Sequence, residues 1–275
     1  MAVTMAEISK LRTMTGAGMM DCKNALTESN GDIEKAIEII RKKGQAVAAK
    51  RSDREASEGC VLAAAEGEFA AVLALKCETD FVAKNADFIA LTKQILDLAM
   101  AQKPADLAAL KALIINGGRT VAELVTDRSG ITGEKMELDY YEFVKGTDTV
   151  AYIHQGNKLA TLAAFNLANV DLQVKKDVAM QIASMSPISL DRSSVPADVI
   201  AKELEIGKEK ARQEGKPEAM LDRIAEGRLN KFYQESTLLE QAFIKDAKIT
   251  IAQYLKQQKN DLTVTDFKRV TLNQE

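Results

Sequence analysis

The sequence has few of the residues on which most catalytic and metal sites depend. It contains one histidine, His154, and three cysteines, Cys22, Cys60 and Cys77, which form no Cys-x-x-Cys pair. A metal site built from several histidines and a His-Glu-x-x-His protease are therefore excluded. Cysteines this far apart suit neither a zinc site nor a disulfide framework, so we interpret them as small buried residues in a reducing compartment.

An excess of positive charge and long apolar runs are missing as well. Lysine and arginine number 37 against 40 aspartate and glutamate, which leaves a net charge of −3. Without a basic excess to neutralise phosphates, direct binding to nucleic acid is not expected. No run approaches the roughly 18 apolar residues of a membrane span. Residues 1–12 carry charges where a secretory signal needs an apolar core, so we expect a cytoplasmic protein that does not contact membranes.

The polar residues that remain assemble into no recognisable catalytic set. A Ser-His-Asp hydrolase would have to use His154, but no Gly-x-Ser-x-Gly elbow accompanies it, and a strand-end role is more economical. Gly16-Ala17-Gly18 before Lys23 invites a phosphate-binding interpretation. It lacks the third glycine of a dinucleotide fingerprint and the Gly-Lys-Ser/Thr of a P-loop, so a tight turn between helices is expected. These residues favour a binding protein over an enzyme and predict no metal and no cofactor.

The first fifty residues predict three short helices. Two span Met5 to Thr13 and Met19 to Ser29, and the third follows the N-cap candidate Asp32 with isoleucines and alanine at helical spacing. The stretch from Gly44 to Glu58 has no strong apolar period and is interpreted as a tether. Met19 and Met20 are adjacent on a helix and cannot face the same way, so one of them is expected to project, which suits a protein contact.

From Gly59 onward the pattern predicts strands and helices that occur twice. The order hairpin, polar segment, helix is predicted over 60–77 and 86–100, and again over 149–165 and 171–185. Val61 and Val150 begin equivalent strands 89 residues apart, which suggests a duplicated core with pseudo-twofold symmetry. A strand rich in aromatic residues is expected over 136–144, after helical patterns within 105–130.

The segment from Ser194 to Tyr233 is charged and predicts an antiparallel helical hairpin. Gly215-Lys216-Pro217 interrupts it, and Ile200, Leu204, Gly207 and Ala211 form the narrow seam of a helix that pairs with one other. A short helix over 250–256 and a last strand over 262–270 follow.

The stretch from Lys76 to Asn85 connects an apolar strand to an amphipathic helix, and such connections often carry function. It contains Phe81, a bulky aromatic directly after Asp80. From residue type and spacing alone, burial of Phe81 in the protein's own core is favoured over a probe for another protein, because most aromatics bury their area.

Several motifs resemble one family. They are Leu11-Arg12-x-x-Thr15-Gly16-Ala17-Gly18-Met19-Met20-Asp21-Cys22-Lys23, Gly31-Asp32-Ile33-Glu34, Thr79-Asp80-Phe81-Val82-Ala83, Gly215-Lys216-Pro217, Glu226-Gly227-Arg228 and Leu238-Leu239-Glu240-Gln241. Together they resemble bacterial translation elongation factor Ts, and they extend over nearly the whole chain.

The resemblance implies an α+β fold with an N-terminal three-helix domain similar to ubiquitin-associated modules. A duplicated core of antiparallel sheets with helices and an inserted antiparallel coiled-coil hairpin would complete it. We expect the domains to span 1–51 for the three helices, 52–146 for the first core subdomain, 147–189 with 234–275 for the second, and 190–233 for the hairpin.

The resemblance also implies a function without covalent chemistry, that of a guanine-nucleotide exchange factor for the GTPase elongation factor Tu. By motif, Thr79, Asp80, Phe81 and Val82 would enter beside the magnesium site of the GTPase. Arg12, Met19, Met20 and Lys23 would grip one of its helices. His154 and Gly156 lie near a third family contact, although Gln155 and Asn157 depart from its usual glycine and arginine.

Two alternatives stay open. A ubiquitin-associated-like scaffold or chaperone adaptor would use the first fifty residues and leave the core inert, but it would have no need of Asp80-Phe81. The exposed faces of a duplicated core and of a helical hairpin also leave open a homodimer in the complex.

Overall fold

The computed structural model describes residues 3–115 and 117–272, which form helices and antiparallel sheets and confirm the α+β class. Two compact units result. One contains the described residues of 3–62 and 73–141 together with 272, and the other contains 63–72 and 142–271. Within the described ranges, no helix combines the length and apolar character needed to cross a bilayer.

Three helices occupy the N-terminal region, as predicted. They are α1 (Met5–Thr15), α2 (Met19–Glu28) and α3 (Ile33–Lys50). Each of the outer two begins at a side-chain cap: Thr4 and Glu7 form a capping box at α1, and the Asp32 carboxylate accepts from the backbone N–H of Lys35 at α3. Their common core consists of Ile8, Leu11, Ala17, Cys22, Ala25, Leu26 and Ala36.

The chain continues through the predicted hairpin, helices and aromatic strand. These elements are β1 (Glu58–Glu66), β2 (Phe69–Cys77), α4 (Asp80–Ala83), α5 (Ala86–Gln102), α6 (Leu107–Ala112), α7 (Val121–Thr132) and β3 (Met136–Lys145). The sheet order is β1-β2-β3, with β2 in the centre. The β2 strand is almost entirely buried, which explains its uninterrupted apolar sequence. The Gly117-Gly118 break falls between α6 and α7, as predicted.

The prediction of a tether from Gly44 to Glu58 is wrong for its first half, which belongs to α3. This helix continues through Gly44 to Lys50 instead of ending before the alanine-rich stretch. Its glycine crosses α7 closely: a Cβ atom built on Gly130 would lie 2.1 Å from the Cα of Gly44. The weak apolar periodicity wrongly suggested that the helix ends before Gly44. This part of α3 is supported by one close backbone crossing, and a pattern of large apolar side chains does not reveal such a crossing.

The second unit repeats the hairpin-then-helix order and adds a helical hairpin. Its elements are β4 (Asp148–Ile153), β5 (Leu159–Phe165), α8 (Leu172–Met185), α9 (Ala197–Gln213), α10 (Leu221–Ser236), β6 (Ala242–Phe243), β7 (Asp246–Thr250), α11 (Ile251–Gln258) and β8 (Val264–Thr271). The β5 strand pairs antiparallel with both β4 and β8, so Val150 lies opposite Ala163 and Lys268 opposite Leu162. The β6–β7 hairpin was not predicted, because its strands are too short to show alternation.

The helices α9 and α10 pack on each other along the predicted seam. Gly207 is buried, and a Cβ atom there would lie 3.1 Å from the Cα of Ala225. Lys208 pairs with Asp222 across the two helices at 2.6 Å. The small residue permits the close approach, and the flanking charges remain in solvent.

The carboxylate of Asp177 is buried in the second unit. Asp177 of α8 accepts hydrogen bonds from the Nζ of Lys245 at 2.6 Å, from the Nε2 of Gln173 at 2.7 Å and from the hydroxyl of Tyr254 at 2.9 Å. Burial alone would raise the pKa of Asp177, but these three donors lower it below its ordinary value. Asp177 is therefore charged at neutral pH and fastens the β6–β7 turn to α8.

Candidate functional site

The segment around Phe81 forms a one-turn helix with an outward-pointing aromatic. Thr79 is its N-cap, and the Thr79 Oγ1 accepts from the backbone N–H of Val82 at 3.4 Å. Phe81 is 84% exposed, the most exposed large apolar side chain among the described residues. The expectation from spacing that Phe81 is buried is wrong, because the helical turn directs Ala83 inward and leaves Phe81 on the opposite side.

Carboxylates hold the base of this turn. Glu134, just beyond the end of α7, accepts from the backbone N–H of Thr79 at 3.0 Å and from its hydroxyl at 2.6 Å. Glu78 accepts from the backbone N–H of Lys135 at 2.6 Å and from the Nη1 of Arg51 at 2.8 and 2.9 Å. The Lys135 amide, and then Arg51, lower the pKa of Glu78, so it stays ionised at neutral pH.

Asp80, the first residue of the turn, and Cys77, which precedes it, have contrasting chemistry. Asp80 is paired with Lys84 one turn along at 2.6 Å, and both side chains are largely exposed. Burial raises the pKa of the Cys77 thiol to about 12, and the thiol donates to the carbonyl of Thr79. Cys77 is therefore a protonated structural residue, and the exposed carboxylate and aromatic are the groups that a partner can meet.

A groove joins the Phe81 turn to the turn between α1 and α2. It has a volume of about 280 Å³, and its walls include Gly16, Phe81, Val82 and Arg128. Gly16 ends α1 in the left-handed conformation, with φ +70°, and a Cβ atom there would lie 2.8 Å from the Nη1 of Arg128. The glycine thus admits the guanidinium, whose Nη2 lies 4.0 Å from a carboxylate oxygen of Asp87.

The N-terminal candidate residues lie on the surface. Arg12 and Lys23 are exposed, and Met19 and Met20 are 47% and 64% exposed. The buried stripe of α2 consists of Cys22, Ala25 and Leu26. Since that stripe is narrow, Met19, Met20 and Lys23 all lie outside it, and both methionines project where one was expected to.

His154 and Gly156 belong to the second unit, in the turn between β4 and β5. The backbone N–H of His154 donates to the carbonyl of Leu159 at 2.8 Å, and its Nδ1 lies 2.9 Å from the hydroxyl of Tyr152. Gly156 has φ +91°, which the turn requires. The predicted strand-end position of His154 is confirmed.

Sequence reasoning did not single out Glu134 or Arg128. Each contacts its partner across a long separation in the chain, 55 residues between Glu134 and Thr79. A lone glutamate after a helix-ending glycine is too common a pattern to single out. Among residues 3–115 and 117–272, no group of three or more His, Cys, Asp and Glu side chains is arranged to hold a metal ion.

The fold and this site define an α+β protein with a strongly exposed aromatic on an anchored turn. A family model described as Elongation factor TS matches residues 78–274. An elongation factor Ts from Porphyromonas gingivalis is 61% identical over 273 residues, 99% of each chain. Those of Azobacteroides pseudotrichonymphae and Bacteroides thetaiotaomicron are 55% and 49% identical over the full length of both chains. The chain belongs to the elongation factor Ts family and is a translation elongation factor.

Proposed function

We propose that this protein binds the GTPase elongation factor Tu in its GDP-bound form and promotes release of GDP, so that GTP can bind. The observation that carries the proposal is the exposure of Phe81 on a short turn whose base is held by Glu134 and Glu78. Exposing an apolar side chain of this size to water is unfavourable in free energy, and burying it against a partner would remove that penalty.

The physical effect on the partner follows from how a P-loop GTPase holds its nucleotide. Backbone amides, a lysine and a magnesium ion shared with the phosphates supply the attraction. Phe81 acts as a wedge that shifts an element supporting the ion, and Asp80 brings negative charge close to it. Loss of the ion leaves the phosphates poorly neutralised, so GDP leaves faster.

Exchange then follows from reciprocal linkage. If this protein binds the nucleotide-free GTPase more tightly than the GDP-bound form, GDP binding is weakened by the same factor. Each tenfold difference corresponds to about 1.4 kcal/mol. This chain forms and breaks no covalent bond, and every step belongs to binding equilibria and their rates.

We assign a second contact to the N-terminal helices. Met19, Met20 and Lys23 are exposed on α2, and with Arg12 they would grip a helix of the GTPase. Methionine suits such a contact because its flexible thioether adapts to the partner surface. His154 and Gly156 are a third, weaker candidate contact.

We propose the same domain organisation as the sequence predicts. The three N-terminal helices over 1–51 would be a ubiquitin-associated-like module. Residues 52–146, and 147–189 with 234–275, would be the two core subdomains. The α9–α10 hairpin would be a coiled-coil insertion over 190–233, which its close Gly207–Ala225 crossing supports.

Stopped-flow release of a fluorescent GDP from elongation factor Tu at fixed magnesium tests the proposal. The full chain should accelerate release, and Phe81→Ala should slow the accelerated release at least about tenfold while leaving the fold intact. Tyr140→Ala is the matched control, since Tyr140 is an aromatic of β3 that is 45% exposed. Equal rates for wild type and Phe81→Ala would remove Phe81 from the mechanism, and no acceleration by the wild type would reject the exchange function.

A further inference from the structure

Two segments far apart in the chain are joined by hydrogen bonds in which each segment supplies a carboxylate acceptor to the other. The Glu134 carboxylate accepts from the backbone N–H and the hydroxyl of Thr79, at 3.0 and 2.6 Å. In return, the Glu78 carboxylate accepts from the backbone N–H of Lys135 at 2.6 Å. Residues 78–79 and 134–135 therefore fix one another in both directions, through hydrogen bonds to charged acceptors, which are the strong kind.

The second segment is itself rigidly placed. Glu134 follows Gly133, the left-handed residue that ends α7 and whose N–H donates to the carbonyl of Ser129. The Lys135 side chain reaches the backbone carbonyls of Ser52 and Arg54, each at 3.1 Å. Because these contacts fix Glu134 at the end of a helix, the Thr79 groups that it accepts from are fixed relative to α7.

The turn cannot position Phe81 without such help. A helix of four residues is far below the length at which a helix is stable in water. The Phe81 side chain is 84% exposed, so packing around its ring does not set its direction. Two attachments hold the turn: the buried Ala83 at its end and the N-cap Thr79 at its start, which is the one that Glu134 contacts.

We propose that Glu134 is a positioning residue for nucleotide exchange: by holding the N-cap Thr79, it presets the direction in which Phe81 enters the partner. This inference rests on the proposed exchange function and deepens it. If the direction of Phe81 is already set, docking does not have to order the turn. A loose turn would have to be ordered at each encounter, at a cost in conformational entropy. The N-terminal face of Arg12, Met19 and Met20 is untouched by Glu134, so initial docking should not depend on it.

The expected kinetic result is a split between rate and affinity. Glu134→Ala removes the acceptor of two hydrogen bonds and should lower the maximal rate of stimulated GDP release about tenfold at saturating factor. The factor concentration that gives half the maximal rate should change by less than about twofold. Glu134→Gln keeps one carbonyl acceptor for Thr79 and should recover most of the rate.

The test compares full-length wild type, Glu134→Ala, Glu134→Gln and Phe81→Ala with the double variant Glu134→Ala/Phe81→Ala, each checked by circular dichroism. If Glu134 acts through Phe81, its replacement should cost about tenfold in the wild-type background and almost nothing when Phe81 is absent. Should Glu134→Ala fold poorly, Glu134→Met, which keeps a side chain of similar length but offers no carboxylate to Thr79, is measured in its place and should show the same split.

The outcomes separate this inference from the function on which it rests. A wild type that does not accelerate release overturns the exchange function and this inference with it. A wild type that accelerates release while Glu134→Ala matches its maximal rate overturns the positioning role alone. Equal losses in the presence and absence of Phe81, or a loss confined to the half-maximal concentration, also overturn it, because either result means that Glu134 does not act through the wedge.

Discussion

The crossing of α3 over α7 gives a prediction whose sign depends on the structure. A Cβ atom on Gly130 would lie 2.1 Å from the Cα, 3.0 Å from the N and 3.3 Å from the C of Gly44. All three are backbone atoms, so no side-chain rotation relieves the overlap. Gly130→Ala can be accommodated only if α3 moves away from α7.

The magnitude is a difference between two opposing effects. Alanine inside a helix is favoured over glycine by about 1 kcal/mol. Overpacking against an immovable neighbour costs about 3 kcal/mol, at the upper end of its usual range. The net expectation is a local destabilisation of about 2 kcal/mol, which corresponds to a roughly 30-fold larger population of the open form of α3.

Hydrogen exchange measured by mass spectrometry is the suitable assay, because two compact units need not unfold as one cooperative transition. Peptides from α3 should lose about 30-fold of protection in Gly130→Ala. The matched control is Gly227→Ala in α10, where no atom lies within 4 Å of the added Cβ. There the helix preference acts alone and should increase protection of α10 about fivefold.

The two variants should therefore change in opposite directions. If Gly130→Ala left α3 protection unchanged or increased it, the close crossing would not exist in solution. If Gly227→Ala also lost protection, the helix preference would have been misjudged, and the comparison would give no support to the crossing.

Two further predictions concern docking and acid stability. Met19→Ala/Met20→Ala should weaken binding to elongation factor Tu at least about tenfold without lowering the saturated release rate, as titration by fluorescence would show, and unchanged binding would contradict the assigned contact. Asp177→Asn should destabilise the second unit by about 1–3 kcal/mol at pH 7, measured by urea unfolding, because Lys245 loses its charged acceptor. Since the pKa of Asp177 is lowered on folding, its contribution is present above the unfolded value of about 4 and is lost as pH falls through the folded value. The gap between variant and wild type should shrink in acid, and a constant gap would show that the charge is unimportant.

The sequence alone determined most of the secondary structure and the family. The spacing after Asp32 predicted the start of α3, and the Gly117-Gly118 and Gly215-Lys216-Pro217 breaks fell between helices as expected. Such features are local, because a helical period or a chain-breaking residue acts within a few residues of itself. The long motifs around Gly16 and Thr79 were specific enough to identify the family, which the comparisons confirm.

The tertiary structure alone decided two things. It extended α3 to Lys50 by a glycine crossing, and it brought Glu134 to Thr79 from 55 residues away. Local periodicity tells which face of an element is buried, but not which distant segment covers it. The contacts that position the Phe81 turn are of this second kind, so they could be found only once the chain was folded.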